Sequence, residues 1–241
     1  MTVLLAQLRS ELRVMARNGE QLLLIVIIPM ALLLFFGNVD VLPTADQPAI
    51  DFLVPGIIAL AIMSTAMVSL GIATGFERQY LVLKRLGATP LGRSRLVLAK
   101  SLAVVIIELV QLAAICAVGL AMGWTVESTA WPLLVGAAAL GTFAFAGLGL
   151  VLAGRLRAEV NLAAQNGLYL FLLLTGGMII ASTALPGPLE SLSRALPAAN
   201  LADALRQAVG ENGLYGSSAW IILAAWALAA PLVAARVFRW E

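Results

Sequence analysis

The stretch WPLLVGAAALGTFAFAGLGLVLAG, residues 131–154, runs for 24 residues without a charged side chain. About 20 apolar residues in a helix cross the hydrocarbon core of a bilayer, so this stretch predicts a membrane span. Small residues let neighbouring helices approach closely in membrane bundles. The sequence supplies them here and at the end of another apolar stretch, as Gly119, Gly123, Gly136, Gly141, Gly147 and Gly149.

Five more apolar segments flank this stretch, at residues 21–37, 52–76, 96–124, 162–184 and 219–237. The chain of 241 residues is 61% apolar and 12% charged, with a mean hydropathy of +0.99. Soluble domains carry about 25% charged residues, so a water-soluble enzyme is excluded. The predicted fold is an all-α integral membrane protein with six transmembrane helices in one domain over residues 21–241.

The positions of Lys and Arg predict the orientation, because basic residues favour the cytoplasmic side. With a cytoplasmic N-terminus, 12 of the 15 basic residues lie in inner segments, and Arg194 and Arg206 lie in an outer loop. Lys100, just inside the third span, is expected to snorkel to the inner headgroups. Both termini are then cytoplasmic, which six spans allow.

Residues 1–20 precede the first span and are predicted to form an interfacial amphipathic helix. Leucines share one face of this helix, and arginines follow on the adjacent flank, which is the pattern of a helix lying at the inner membrane surface. The alternative is a soluble helix packed on a partner. The residues concerned are Leu4, Leu5, Leu8, Leu12, Met15 and Ala16, with Arg9, Arg13 and Arg17 beside them.

Polar side chains inside the spans are candidates for a translocation path, because they are costly in lipid. Glu108 lies near the middle of the third span, and Gln111, one turn later, is expected to share its face. Glu108 has two interpretations: a substrate or proton site, or a hydrogen bond that fixes the bundle. The other candidates are Ser64 and Ser69 in the second span and the stripe Asn161, Gln165 and Tyr169 in the fifth.

Composition also excludes several chemistries. The chain has no histidine and one cysteine, Cys116, so His-based metal sites and internal disulfides are excluded. It contains no phosphate-binding loop of the form G-x-x-x-x-G-K-[ST], so any ATP is expected to bind another chain. The net charge of +2 gives no reason to expect nucleic acid. We expect a protein that is not an enzyme and holds no metal or cofactor of its own.

The loop after the second span, GFERQYLVLKRLGATPLGRSR, residues 75–95, holds five basic residues. Thr89 followed by Pro90 is typical of a helix start, with Thr as N-cap and Pro in the first position. The loop therefore predicts a short basic helix at the inner membrane surface, ready for a cytosolic partner. A plain positively charged topogenic loop would use the same residues.

This loop resembles the signature of ABC-2 type exporter permeases, which runs approximately E-R-E-x-G-T-L-x-x-L-R-x-T-P-L with a Gly-Lys nearby. The resemblance rests on Glu77-Arg78, Leu83-Lys84-Arg85-Leu86, Ala88-Thr89-Pro90-Leu91 and Ala99-Lys100. The sequence departs from the pattern at Leu81-Val82, Gly87 and Ala99. The prolines between residues 185 and 206 and the end, residues 238–241, also resemble this family, so the resemblance covers nearly the whole chain.

The resemblance implies a permease subunit of an ATP-binding-cassette exporter in a bacterial plasma membrane. It would pair with a second copy or a paralogue, and two cytosolic ATPase subunits would bind ATP and Mg²⁺. A coupling helix around residues 89–94 and the N-terminal helix would contact the ATPase. Residues 186–210 would form short re-entrant helices on the outer side. The implied coupling residues are Glu77, Arg78, Lys84, Arg85, Thr89, Pro90 and Arg93.

The sparse, mostly neutral polar lining favours an amphiphilic or lipid-like cargo, and its identity stays open among drugs, lipids, glycan carriers and haem-like molecules. In this scheme the path lies between the second and fifth spans. Three other functions are kept as alternatives. They are an ion-coupled transporter with Glu108 as proton carrier, a non-transporting membrane scaffold, and an integral-membrane enzyme.

Overall fold

The structure is a computed structural model that describes residues 2–17, 19–39, 49–87, 92–125, 129–179, 185–210 and 213–238. Every regular element in these ranges is helical. The α-helices are α1 (Thr2–Arg17), α2 (Gly19–Asn38), α3 (Ala49–Met63), α4 (Leu70–Gln79), α5 (Val82–Gly87), α6 (Gly92–Ala121), α7 (Trp131–Arg155), α8 (Ala158–Thr175), α9 (Gly187–Ala195), α10 (Pro197–Ala208) and α11 (Ser217–Val237).

Four helices within the described ranges are long and apolar enough to cross a membrane: Ala49–Gln79, Leu98–Ala121, Trp131–Arg155 and Ser217–Val237. They confirm the second, third, fourth and sixth predicted segments as helices of spanning length. The first segment lies in α2, whose described apolar part is Ile25–Asn38 and is shorter. The prediction of six spans therefore stays a prediction.

The second predicted span forms the centre of the bundle. The most apolar part of this span is 83% buried, whereas the corresponding parts of the other three candidate spans are 28% to 39% buried. A π-helical turn, Ser64–Ser69, joins α3 to α4 within it. Such turns widen a helix locally and recur at functional sites, and this one was not predicted from the sequence.

Glycines on α7 let this helix contact its neighbours, as small residues do in membrane bundles. A Cβ at Gly149 would lie 2.6 Å from the carbonyl oxygen of Met67, in the π-helical turn. A Cβ at Gly147 would lie 2.5 Å from the backbone at Ala230–Pro231 of α11, which packs along α7. Gly136 has open space instead. The predicted close approach is confirmed at Gly147 and Gly149, and it is wrong for Gly136.

The fifth predicted segment, residues 162–184, is wrong at its C-terminal end, because α8 ends at Thr175. The chain then turns through Gly177, whose φ is +64°. The Met178 carbonyl oxygen approaches Gly56 of α3 so closely that a Cβ there would lie 1.9 Å from it. Non-helical backbone at this depth is tolerated where protein surrounds it. Residues 180–184 lie outside the described ranges.

Residues 187–208 form two short helices, α9 and α10, as predicted for this region. The apolar residues at i, i+4 and i+8 in this region are buried, namely Leu201, Leu205 and Val209. Arg206, which the charge pattern assigns to an outer segment, is buried too. Its guanidinium lies 3.9 Å from the centre of the Phe52 ring and donates a hydrogen bond of 2.6 Å to the Gly177 carbonyl oxygen.

Candidate functional site

The N-terminal part of α6 meets α1 and the end of α4 at a buried lysine. The Nζ atom of Lys100 lies 2.7 Å from Glu77 Oε1 and 3.0 Å from Glu11 Oε2. Lys100 is only 9% exposed, so the predicted snorkelling to the headgroups is wrong. One buried ammonium between two carboxylates instead holds three helices together, which is how buried charges are ordinarily satisfied.

The two residues after Glu77 bind the turn between α7 and α8. Arg78 donates from Nη1 to the Gly154 carbonyl oxygen at 2.8 Å and from Nη2 to that of Leu156. These carbonyls lie at the C-terminal end of α7, where helices lack internal donors and where a positive charge is favoured. Arg78 therefore caps α7.

Gln79 makes the matching contacts with the N-terminal end of α8. Its Oε1 accepts a hydrogen bond of 3.0 Å from the Ala158 backbone N–H, and its Nε2 donates to Glu159 Oε1 at 2.8 Å. This donated hydrogen bond lowers the pKa of the exposed Glu159 carboxyl. We call the contacts of Glu11, Glu77, Arg78, Gln79 and Lys100 the inner-end network.

Next along the chain, α5 exposes two of the predicted coupling residues, Lys84 and Arg85. On its other face, Leu83 is buried in a small cluster with Leu86 and Phe238. The exposed basic pair is thus held on a packed helix, which the left-handed Leu81 (φ 58°) turns away from α4.

The predicted coupling helix around residues 89–94 lies only partly within the described residues. Thr89 and Pro90 lie outside the described residues. Arg93 lies in the first turn of α6, which continues without a break to Ala121, and its side chain is not described. In the described part of this loop, the short basic helix is α5, which ends before Thr89.

A shallow depression of about 490 Å³ adjoins the inner-end network. Arg78, Gln79 and Leu81 line one side of it, and Arg157 and Glu159 line the other. Backbone and side chains of two interhelical turns therefore form one surface, wide enough for side chains of another protein.

The candidate path residues of the second span belong to the π-helical turn. Ser64 begins it and donates to the Ala61 carbonyl oxygen at 2.9 Å, while Ser69 ends it and is buried. Between them, Thr65 donates to Gln111 Oε1 at 2.7 Å. Gln111 in turn donates to the Ile25 carbonyl oxygen of α2 at 2.9 Å.

The predicted stripe on α8 is directed into the bundle. Asn161 donates to the Gly71 carbonyl oxygen and Gln165 to that of Gly149, both at 2.9 Å. Both side chains are fully buried, whereas Tyr169 is half-buried against the main core. Asn161 and Gln165 thus bind backbone carbonyls of α4 and α7 and join α8 to both helices.

Glu108 turns away from this group. Its Oε2 atom lies 2.6 Å from Thr142 Oγ1 on α7, while Gln111 contacts α2 and the π-helical turn. The expectation that Glu108 and Gln111 share a face is therefore wrong. Their directions on the helix differ by about 60°, and each side chain contacts a different neighbouring helix.

Two residues of these clusters, Glu11 and Thr142, were not predicted from the sequence. Glu11 offered a signal, since it is an acidic residue beside the apolar face of α1 and Lys100 is a basic residue inside a span. Charges at such positions call for a partner. Thr142 gave no signal, because hydroxyls in helices also bond to their own backbone.

Comparison with known families gives one match. The model of the family described as ABC-2 type transporter matches residues 2–209. This range runs from α1 to the end of α10 and includes the inner-end network. No curated protein matches the chain.

Proposed function

The chain belongs to the ABC-2 type transporter family, and from this premise we propose that it is the transmembrane permease subunit of an ATP-binding-cassette exporter. It would move an amphiphilic or hydrophobic substrate outward across a bacterial plasma membrane. Two separate cytosolic subunits would bind ATP and Mg²⁺ and hydrolyse the ATP. The second permease of the assembly would be another copy of this chain or a paralogue.

The inner-end network is the observation that carries this proposal. Three consecutive residues at the end of the central span each bind different helices: Glu77 binds Lys100 of α6, Arg78 binds the end of α7, and Gln79 binds the start of α8. A force applied at this point reaches four helices, because Lys100 also binds Glu11 of α1. An exporter driven from the cytosol needs such a connection.

The surface beside the network supports an external motor. Lys84 and Arg85 are exposed on α5, two residues after the turn that ends α4. Arg157 lines the adjoining depression. This basic surface would attract an acidic patch on an ATPase subunit, and closure of the ATPase dimer would move α5 and, through α4, the central span.

The interior supports an amphiphilic cargo over a highly charged one. Three amide side chains each donate a hydrogen bond to a backbone carbonyl oxygen. They are those of Asn161, Gln165 and Gln111. These side chains thus already hold the helices together, and they are neutral, so they offer no counter-charge to a highly charged cargo. A path opened by separating helices would be lined mainly by apolar side chains.

The test is purification of the tagged chain from its native membrane, followed by reconstitution in vesicles. We expect a complex that hydrolyses ATP. We also expect the double variant Lys84→Ala and Arg85→Ala to lower this turnover at least about tenfold, as interface charges can. Arg194→Ala, a basic residue on α9, is the matched control and should leave turnover unchanged. Equal turnover in both variants would contradict α5 as the docking helix.

An ion-coupled transporter is the second candidate. The observation that favours it is Glu108, whose Oε1 atom is buried without a hydrogen-bond partner and could carry a proton. Uptake into vesicles that follows a pH gradient and ignores ATP would support this function and overturn the exporter. A chain that neither associates with an ATPase nor transports anything would be the scaffold named above.

A further inference from the structure

A narrow cleft separates the middle of α6 from α7. Its volume is about 180 Å³, and α3 and α4 form its floor through Ile62 and Leu70. Its walls are apolar except for Ser101, Thr142 and Glu108. The cleft thus holds one acidic side chain in an otherwise hydrocarbon-like setting.

The cleft opens toward the outside of the bundle. Val105 and Leu109 on α6, and Val135 and Phe143 on α7, line it and are 39% to 59% exposed. In a membrane, these exposed apolar side chains face lipid. A molecule dissolved in the bilayer can therefore reach the cleft sideways, without first entering water.

Glu108 is incompletely satisfied at the bottom of this cleft. The residue is 9% exposed, and its Oε1 atom is buried with no hydrogen-bond partner, while Oε2 lies against Thr142. A buried carboxyl oxygen without a partner is costly, and a cation is the strongest partner it can take. No other charged side chain lines the cleft in the part of the chain that the structure describes.

Thr142 adapts to the charge on Glu108. Its Oγ1 atom lies 2.6 Å from Glu108 Oε2 and 2.9 Å from the Ala138 carbonyl oxygen. A hydroxyl has one proton to donate. It can donate to its own helix when the carboxyl is neutral and to Oε2 when the carboxyl is an anion.

We propose that this cleft binds the ammonium group of an amphipathic amine, with Glu108 as the counter-ion and the apolar body of the amine lying along the exposed faces of α6 and α7. The volume suits an ammonium group with a few methylenes and is smaller than the 300–1,000 Å³ of drug-sized pockets. The rest of the molecule would lie in lipid. This inference concerns binding and needs no ATPase, so it can fail while the proposed function stands.

The test measures binding of radiolabelled dodecylamine to the full chain in phosphatidylcholine nanodiscs, with empty nanodiscs as background. We expect one saturable site per chain, at least about tenfold weaker in Glu108→Gln because the ion pair is lost. Glu190→Gln, which removes an acidic charge on α9, should bind as the parent does. Dodecanol has the same chain without the charge and should not compete.

A second variant keeps the inference testable if Glu108→Gln does not fold. Ala139→Leu leaves Glu108 in place and fills the cleft that Ala139 lines, so the saturable site should be lost. Equal dodecylamine binding by the parent and both variants would overturn the proposal, as would competition by dodecanol. In that case a proton on the Glu108 carboxyl, and not a bound amine, would satisfy Oε1.

The other molecule that would cover the cleft is a second copy of the chain, and this alternative needs its own test. Leu109→Cys, made with Cys116→Ser, would form a disulfide-linked dimer in membranes if another copy covered the cleft. We expect no such dimer. A dimer formed in high yield would overturn the proposal.

Discussion

Lys100 shows how a single buried charge can organise this bundle. Replacing it by Met leaves Glu11 and Glu77 without their shared cation. Breaking a buried pair from one side is strongly destabilising, because the remaining charge stays buried. We expect Lys100→Met to lower the free energy of unfolding by about 3 kcal/mol, measured by denaturant titration in detergent micelles.

The matched control is Lys84→Met, since Lys84 is exposed on α5. Surface charges contribute about 0–1 kcal/mol, so this variant should unfold nearly as the parent does. If both lysine variants lost the same stability, Lys100 would not hold the three helices together. The same measurement on Glu11→Gln would then show whether α1 is attached by other contacts.

Two glycines of α7 allow a test at the scale of helix packing. Gly149→Ala would place a methyl group 2.6 Å from the Met67 carbonyl oxygen, whereas Gly136→Ala meets nothing within 4 Å. We expect the first substitution to destabilise the protein by about 2 kcal/mol, in the range of overpacked cores. The second should raise stability by up to about 1 kcal/mol, because Ala favours helices over Gly.

The measurement is thermal unfolding of both variants in detergent. The two midpoints can be compared directly, because both variants carry the same substitution on the same helix. Lower stability in Gly136→Ala than in Gly149→Ala would contradict the close contact between α7 and the π-helical turn.

The sequence predicts whole spans well where polar residues bound an apolar run. The fourth and sixth predicted segments, 131–154 and 219–237, match α7 and α11 within two residues at each end. The end of α8 was missed because nothing local marks it. Arg206, 29 residues beyond Gly177, donates to the carbonyl that leaves the helix there. Hydrophobic periodicity describes residues that are close in sequence, so it does not predict contacts over such a separation.

The same limit applies to the candidate site. A basic loop after the second span was visible in the sequence, and so were the polar residues of α8. The sequence does not show which of these side chains form contacts within the chain. Glu77 and Arg78 were predicted to couple to a partner subunit, and both bind neighbouring helices.

The distribution of basic residues predicts the orientation of the whole molecule, and this prediction can be measured. In a chain with Cys116→Ser, a cysteine placed at Arg85 of α5 should react with an impermeant maleimide only from the cytoplasmic side. A cysteine at Leu189 of α9, which is exposed, should react only from outside. Labelling of both positions from one side would contradict the three predicted spans that separate α5 from α9.

The way α11 packs has a practical consequence for protein engineering. The family match ends at residue 209, yet α11 lies along α7, with its backbone at Ala230–Pro231 against Gly147. A fragment that stops at residue 209 would lack α11 and would leave the surface of α7 around Gly147 uncovered. The last helix could then be supplied as a separate polypeptide, so that residues 210–213 become a natural cut point for a split reporter assembled inside the membrane.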